Sequence, residues 1–256
     1  MYMLLHLPRS ESGKTDIIRH YGGVSINDCF WIKQEGDAIG WSQVSPFCGT
    51  TDWSLNNRAF GYRMLSGTGE SIRPERFSPE TTLQGNWSKC LVKNPEGIYL
   101  YKANDGDLRE IEAADFGEAL GLDIVHYWQE DYEDVACTVC KIQCDENTQW
   151  FFAEQIGVDF AARLFPEAYS TMRTFDYVVG NADRHSLNWG WVTDACLTPQ
   201  KLTPLFDFNF SLQSVAMELP SPIDRPLVAK AKDFLAQHDD TPNRAFYLSR
   251  IANLMR

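Results

Sequence analysis

Residues 180–190 of the chain read GNADRHSLNWG, and residues 202–209 read LTPLFDFN. The first segment places Asp183 and Asn188 where an apolar helical pattern ends, and the second brings Asp207 to the end of an apolar, strand-like run. In the spacing D-x-x-x-x-N, an aspartate can accept the proton of an attacking hydroxyl while the amide oxygen ligates Mg²⁺, and a further aspartate supplies a charged ligand. Asp and Asn are also common in turns and caps, where their role is structural, but the three together, after a strand–strand–helix–strand lead-in, favour a functional site.

The rest of the sequence predicts a β-hairpin, followed by helices and strands. Residues 90–102 read CLVKNPEGIYLYK, in which two β-rich runs flank a turn at 94–97 and Lys102 stands at the far end. The remaining pattern predicts a helix over 108–120 that Gly121 ends, a strand over 134–143, a helix from Pro166 that Gly180 caps, strands over 187–192 and 202–206, and helices over 225–237 and 243–255.

The composition is that of a globular protein and limits the partners we expect. The 256 residues include 44% hydrophobic residues, and 23 Lys and Arg stand against 35 Asp and Glu, a net charge of −12. An acidic surface repels phosphate backbones and anionic lipids, so we expect no direct nucleic-acid partner and no membrane partner. The seven cysteines, an odd number with no secretory segment before them, predict a reduced, cytoplasmic protein.

The two polar segments, G-N-x-D-R-H-x-x-N followed by P-L-F-D-F, resemble the catalytic core of HipA-like serine/threonine kinases, which are bacterial proteins. The resemblance covers about residues 78–212. It includes LQGNWSK at 83–89, similar to the family's phosphate loop, and GIYLYK at 97–102, similar to its nucleotide-binding lysine strand. It implies an α+β, two-lobed protein-kinase-like fold with a small β-rich N-lobe and a mostly helical C-lobe.

The implied domain organisation has three parts. Residues 1–75 form an N-terminal segment that packs on or extends the small lobe, residues 76–143 form the N-lobe, and residues 144–256 form the C-lobe with the catalytic and metal-binding loops. A Ser-, Gly- and Pro-rich segment at 66–79 is the candidate linker between the first two parts.

Carried over residue by residue, the resemblance implies that Asp183 is the catalytic base and that Asn188 and Asp207 ligate Mg²⁺. His185 would brace the loop through hydrogen bonds rather than transfer a proton. Two features depart from eukaryotic kinases: Asp183 begins D-R-H instead of ending H-R-D, and Asn209 stands where those kinases have the glycine of D-F-G. Both features suit the HipA-like and lipid-kinase-like branches better.

The same resemblance implies a binding site for ATP. Lys102 would contact the α- and β-phosphates and also counts among the catalytic residues, together with Asp183 and Asn188. Glu110, with Glu112 as second choice, would hold Lys102 in place. The other implied nucleotide-binding residues are Thr82, Gly85 and Lys89 at the phosphate loop, Cys140 and Ile142 on the strand that receives the adenine, and His185.

The phosphate loop also carries a candidate modification site. Family members can silence themselves by phosphorylating a hydroxyl in this loop, and Thr82 is the aligned residue, with Thr81 and Ser88 as neighbours. A phosphate on Thr82 would add up to two negative charges where the phosphates of ATP must sit.

Two other motifs suggest chemistry that their surroundings do not support. The SGKT at 12–15 mimics the end of a Walker P-loop, but Pro8 takes the place of the first glycine and offers no N–H. Cys137, Cys140 and Cys144 form C-x-x-C-x-x-x-C, which is typical of zinc or iron–sulfur sites. No fourth ligand is evident, and the strand-like flanks favour a buried strand.

The sequence therefore predicts an ATP- and magnesium-dependent HipA-like kinase that phosphorylates Ser or Thr of a protein substrate. The resemblance further implies a toxin of the toxin–antitoxin type, paired with a small helix-turn-helix antitoxin. Two alternatives stay open: a nucleotide-binding pseudokinase that acts as an interaction module, and a lipid or small-molecule kinase of the same fold. Metal-dependent hydrolysis by Asp183, His185 and Asp207 is a more distant option.

Overall fold

The computed structural model of the protein describes the following residues: 26–27, 30–33, 35–38, 40–47, 89–104, 106–132 and 134–256. They divide into two compact units. The β-rich unit takes in the described residues up to 104, together with Asp131–Trp150 and Asp194–Thr198. The helical unit consists of Gly106–Glu130, Phe151–Thr193 and Pro199–Arg256. The predicted α+β class is confirmed, while the domain boundaries after residues 75 and 143 stay a prediction.

A four-stranded sheet has the order β1-β2-β4-β3; strands β1, β2 and β4 belong to the β-rich unit, whereas β3 has residues in both units. Its strands are β1 (Lys89–Asn94), β2 (Gly97–Ala103), β3 (Tyr127–Tyr132) and β4 (Val135–Lys141). The predicted hairpin is present, because β1 and β2 pair antiparallel around the turn. The Asn94 side-chain oxygen closes that turn by accepting the N–H groups of Glu96 at 2.8 Å and Gly97 at 3.1 Å. Leu91 and Ile98 then pack with Ile26 in a small apolar core.

The other elements are a three-stranded sheet and seven helices among the described residues. The sheet has the order β5-β6-β7, formed by β5 (Gln149–Phe152), β6 (Gly190–Thr193) and β7 (Pro199–Leu202). The helices are α1 (Trp41–Val44), α2 (Arg109–Ala119), α3 (Ala153–Ile156), α4 (Val158–Leu164), α5 (Pro166–Val179), α6 (Arg225–Gln237) and α7 (Arg244–Leu254). None of the described helices is both long enough and apolar enough to span a bilayer.

Two glycines end the helices that position the polar segments. Gly121 follows α2 with φ of 67°, and Gly180 follows α5 with φ of 69°, the left-handed conformation that glycine adopts most easily. Aromatic packing then joins the helices of this unit, since the Phe116 ring of α2 stacks on Tyr247 of α7 with 4.4 Å between centroids.

The predictions for α2, α5, α6, α7 and β4 are confirmed. The strands predicted over 187–192 and 202–206 differ in position from those of the structure. The strand predicted over 187–192 begins only at Gly190, because the Asn188 N–H donates to His185 in a turn. The strand predicted over 202–206 ends at Leu202. Beyond it, the Leu205 backbone pairs with the segment before β3. Asp207 therefore lies on a loop and not at the end of a strand.

Candidate active site

The loop after α5 presents two polar side chains at the surface of the helical unit. Asp183 and His185 keep 47% and 48% of their side-chain surface exposed, and 4.0 Å separates Asp183 Oδ2 from His185 Nε2. A compact backbone turn supports them, because the His185 N–H donates to the Asp183 carbonyl at 2.8 Å and His185 Nδ1 accepts from the Leu187 N–H at 3.2 Å. The predicted bracing role of His185 is consistent with this contact. Asp183 is open to an incoming hydroxyl.

Arg184 points the opposite way and is the centre of a buried network. Its guanidinium forms an ion pair with Asp176 of α5 at 2.9 Å, and both side chains are 2% exposed. The same group donates to the Asn188 carbonyl at 2.6 Å and also to the Phe206 carbonyl. Burial on its own would lower the pKa of Arg184, but the Asp176 carboxylate, together with Asp207 and Tyr127, raises that pKa overall. Arg184 therefore joins α5, the D-R-H-x-x-N loop and the residue before Asp207.

Asn188 is buried beneath Asp183 with a defined amide orientation. Its Nδ2 donates to the Asp183 carbonyl at 3.0 Å. Only the nitrogen of an amide can donate to a carbonyl, so this bond fixes which end of the amide is Nδ2 and which is Oδ1. The orientation of the Asn181 amide is fixed in the same way, because its Nδ2 donates to the Asp176 carboxylate at 3.0 Å. The loop is thus built on a frame of satisfied buried polar groups.

Asp207 is held by contacts from three sides. Its backbone is left-handed, with φ of 61°. The Asp207 N–H donates to the hydroxyl of Tyr127 at 3.1 Å, and Asp207 Oδ1 accepts from Asn209 Nδ2 at 2.8 Å. The next residue, Phe208, is fully buried, and its N–H donates to Glu110 Oε1 of α2 at 3.3 Å. Glu110 thus anchors the segment Asp207-Phe208-Asn209, called here the D-F-N segment, by a contact that the sequence did not predict.

In the β-rich unit, the hairpin places two lysines side by side. Lys89 and Lys102 are directly opposite each other in the β1–β2 register, which puts both side chains on the same face of the sheet. Lys102 is 6% exposed. On β4, Cys140 is buried opposite Leu100, and the Ile142 N–H donates to the sheet at 2.8 Å. That N–H is therefore engaged within the sheet, and an adenine donor would have to come from another residue.

The structure brings together part of the predicted set. Asn188 and the residue before Asp207 meet at the Arg184 guanidinium. Lys102 and Glu110 belong to different units, so their pairing stays a prediction. Thr82 and Gly85 lie outside the described residues, as do Thr81, Ser88 and the SGKT segment at 12–15.

Sequence reasoning missed three residues that build this site, Asp176, Arg184 and Tyr127. Asp176 could have been found, because it lies within the otherwise apolar residues FDYVV that end α5, where a charge needs a buried partner. Nothing in the sequence distinguishes Tyr127 from the other aromatic residues that follow α2.

The cysteine motif does not form a metal site among the described residues. Cys137, Cys140 and Cys144 are buried, and the group of three ligand-type side chains found in the described part of the chain consists of Asp115, Glu118 and His126, all exposed. Burial, followed by the charge of Glu118, raises the pKa of Asp115.

Comparison with known proteins identifies the fold. No protein-family model matches the chain, and no curated protein matches it. The structure is similar to the Helicobacter pylori proinflammatory kinase CtkA, with a TM-score of 0.51 and 13% sequence identity over 65% of this chain and 89% of CtkA. It is also similar to a chain in the Shewanella oneidensis toxin–antitoxin complex of HipA, HipB and operator DNA, with a TM-score of 0.51 and 13% identity over 99% of this chain and 72% of that chain. The predicted kinase-type fold is therefore confirmed.

Proposed function

We propose that this chain, which has a kinase-type fold, is an ATP- and magnesium-dependent protein kinase that phosphorylates Ser or Thr hydroxyls. One observation carries the proposal. The buried Arg184 guanidinium binds the carbonyls of Asn188 and Phe206 and so ties the D-R-H-x-x-N loop to the D-F-N segment. A candidate base and two candidate metal ligands therefore lie on segments that share one rigid support, as phosphoryl transfer requires.

The side chains on these segments fit magnesium. A carboxylate at Asp207 and an amide oxygen at Asn188 are the hard oxygen ligands that Mg²⁺ prefers. The Asn188 amide already has its nitrogen bonded to the Asp183 carbonyl, so its oxygen is the end left to face a cation. When bound, Mg²⁺ supplies positive charge that offsets the charge on the phosphates of ATP.

The remaining roles divide between the two units. The half-exposed carboxylate of Asp183 would accept the proton of the acceptor hydroxyl and orient its oxygen. Lys102, beside Lys89 on one face of the hairpin, would bind phosphate oxygens. Although the chain has a net charge of −12, this lysine pair forms a locally positive surface that suits the anionic phosphates of ATP.

Transfer of the γ-phosphoryl group tests the proposal. Purified wild type, Asp183→Ala and Asp207→Ala would be incubated with Mg²⁺ and γ-labelled ATP, and label in protein would be measured. We expect labelling by wild type and its loss in both variants, with loss in wild type as well when a chelator removes the metal. Full activity in either variant would rule out the proposed role of the substituted residue.

We also propose that the acceptor is a protein and that a small helix-turn-helix antitoxin is the partner. The similarity of this chain to a chain of the toxin–antitoxin complex of HipA, HipB and operator DNA supports the second part. Thr82, outside the described residues, is the proposed site of autophosphorylation. Intact-mass analysis after incubation with Mg-ATP tests this idea. We expect a gain of one phosphate in wild type and none in Thr82→Ala or Asp183→Asn, and an unshifted wild-type mass would contradict it.

A further inference from the structure

We propose that Tyr127 and Asn209 are positioning residues for Asp207. Tyr127 fixes its backbone and Asn209 fixes its carboxylate, so that Asp207 presents one defined orientation to the metal of a metal–nucleotide complex. This inference rests on the proposed function, because it takes Asp207 to be a metal ligand. All three residues belong to the helical unit.

The first part of the inference comes from the backbone of Asp207. With φ of 61°, this residue adopts a conformation that residues with a side chain rarely take up and that persists only where surrounding contacts hold it. One such contact is the Tyr127 hydroxyl, which accepts the Asp207 N–H at 3.1 Å. Tyr127 is 3% exposed and lies on β3, so its hydroxyl is a fixed acceptor. Loss of that acceptor removes this bond from the Asp207 N–H and with it one of the contacts that hold the left-handed backbone.

The second part comes from the Asp207 carboxylate. Asn209 Nδ2 donates to Asp207 Oδ1 at 2.8 Å, which fixes the plane of the carboxylate relative to the loop. Asn209 is a neutral donor, so its bond does not neutralise the negative charge of Asp207 as a bond from Lys or Arg would. A glycine at this position, as in D-F-G, has no side chain with which to do this. The asparagine is therefore a specific feature of this loop.

Together the two contacts prepare a metal ligand before the metal arrives. A carboxylate that is already oriented loses less conformational freedom on binding, so removal of either contact weakens metal affinity. Neither the Tyr127 nor the Asn209 side chain is proposed to contact the nucleotide itself. The expected signature is weaker metal binding together with unchanged binding of metal-free nucleotide, which a general loss of folding would not produce.

Mn²⁺ binding measured by electron paramagnetic resonance in the presence of a non-hydrolysable ATP analogue tests the inference without reference to activity. The proteins compared are wild type, Tyr127→Phe, Asn209→Ala, Asp207→Ala and the control Tyr247→Phe. Tyr247 is a matched control, because it is another buried tyrosine of the helical unit whose hydroxyl has no hydrogen-bond partner among the described residues. Loss of a supporting contact typically weakens metal affinity by about 10- to 100-fold.

We expect a loss of about that size in Tyr127→Phe and in Asn209→Ala, and wild-type affinity in Tyr247→Phe. Thermal unfolding of each variant, together with binding of the analogue in chelator, separates a local effect from misfolding. Wild-type Mn²⁺ affinity in a folded Tyr127→Phe or Asn209→Ala protein overturns the role of that residue, provided that Asp207→Ala is weakened. Equal Mn²⁺ affinity in wild type and Asp207→Ala overturns the metal site itself and, with it, the proposed function.

Discussion

The loop after α5 has two faces that differ sharply in burial although they alternate along the chain. Asp183 and His185 are about half exposed, whereas Arg184 between them is 2% exposed in its side chain and bonded to Asp176, Asn188 and the Phe206 carbonyl. The outward residues have few contacts and are open to a reactant. The inward residue, Arg184, has many contacts and is not accessible to a reactant. Consecutive residues of one loop thus divide into those suited to chemistry and one that holds the loop in shape.

The inward face predicts the largest effect on stability. Arg184→Met removes a buried charge whose partner, Asp176, then remains buried and unpaired, and such a change costs about 3–5 kcal/mol. Urea unfolding followed by circular dichroism measures it. Arg109→Met is the matched control, because its pair with Asp107 is exposed, with side-chain exposures of 38% and 29%. Exposed pairs contribute about 0–1 kcal/mol. Equal losses in the two variants would show that burial does not distinguish the two ion pairs.

The outward face predicts the largest effect on activity at nearly constant stability. Asp183→Asn keeps the size of the side chain and removes its ability to accept a proton, so we expect phosphoryl transfer to fall by about 10²–10⁴-fold. The free energy of unfolding should change by no more than about 0.5 kcal/mol, as for other exposed substitutions. Asp159→Asn, at an exposed position on α4, is the control. A stability loss like that of Arg184→Met would mean that Asp183 belongs with the inward residues.

The smallest effect on activity is expected at His185. Its ring is half exposed and its Nδ1 accepts one backbone N–H, that of Leu187. The loss of one exposed hydrogen bond in His185→Ala should lower the free energy of unfolding by about 0.5–1.5 kcal/mol and the turnover number only a few-fold. Steady-state kinetics beside Asp183→Asn make the comparison. A loss as large as that of Asp183→Asn would identify His185, and not only Asp183, as a proton acceptor.

Local patterns in the sequence predicted the elements that local contacts form. The hairpin turn follows from the Asn94 side chain, and the ends of α2 and α5 follow from Gly121 and Gly180, each a short-range effect. Polar β3, which reads YWQEDY, has no alternation to reveal it. The loop position of Asp207 depends on pairing between Leu205 and the chain before β3, which is far away in the sequence.

The same limit applies to the site. Residue types and spacing were enough to identify Asp183 and His185 as candidate site residues, because the D-x-x-x-x-N spacing is typical of phosphoryl transfer. The inward role of Arg184 depends on turn geometry and on a partner eight residues away, and the role of Tyr127 depends on a contact across 80 residues. Motifs identify candidate reactive groups, whereas the groups that support them become visible only in three dimensions.

The most direct test of kinase activity is phosphoproteomics of a heat-treated, dephosphorylated bacterial lysate incubated with Mg-ATP and either wild type or Asp183→Asn. Heat removes the endogenous kinases, so new sites report on the added protein. We expect Ser or Thr phosphorylation sites that appear with wild type and are absent with Asp183→Asn. Identical sets of sites with the two proteins would contradict it.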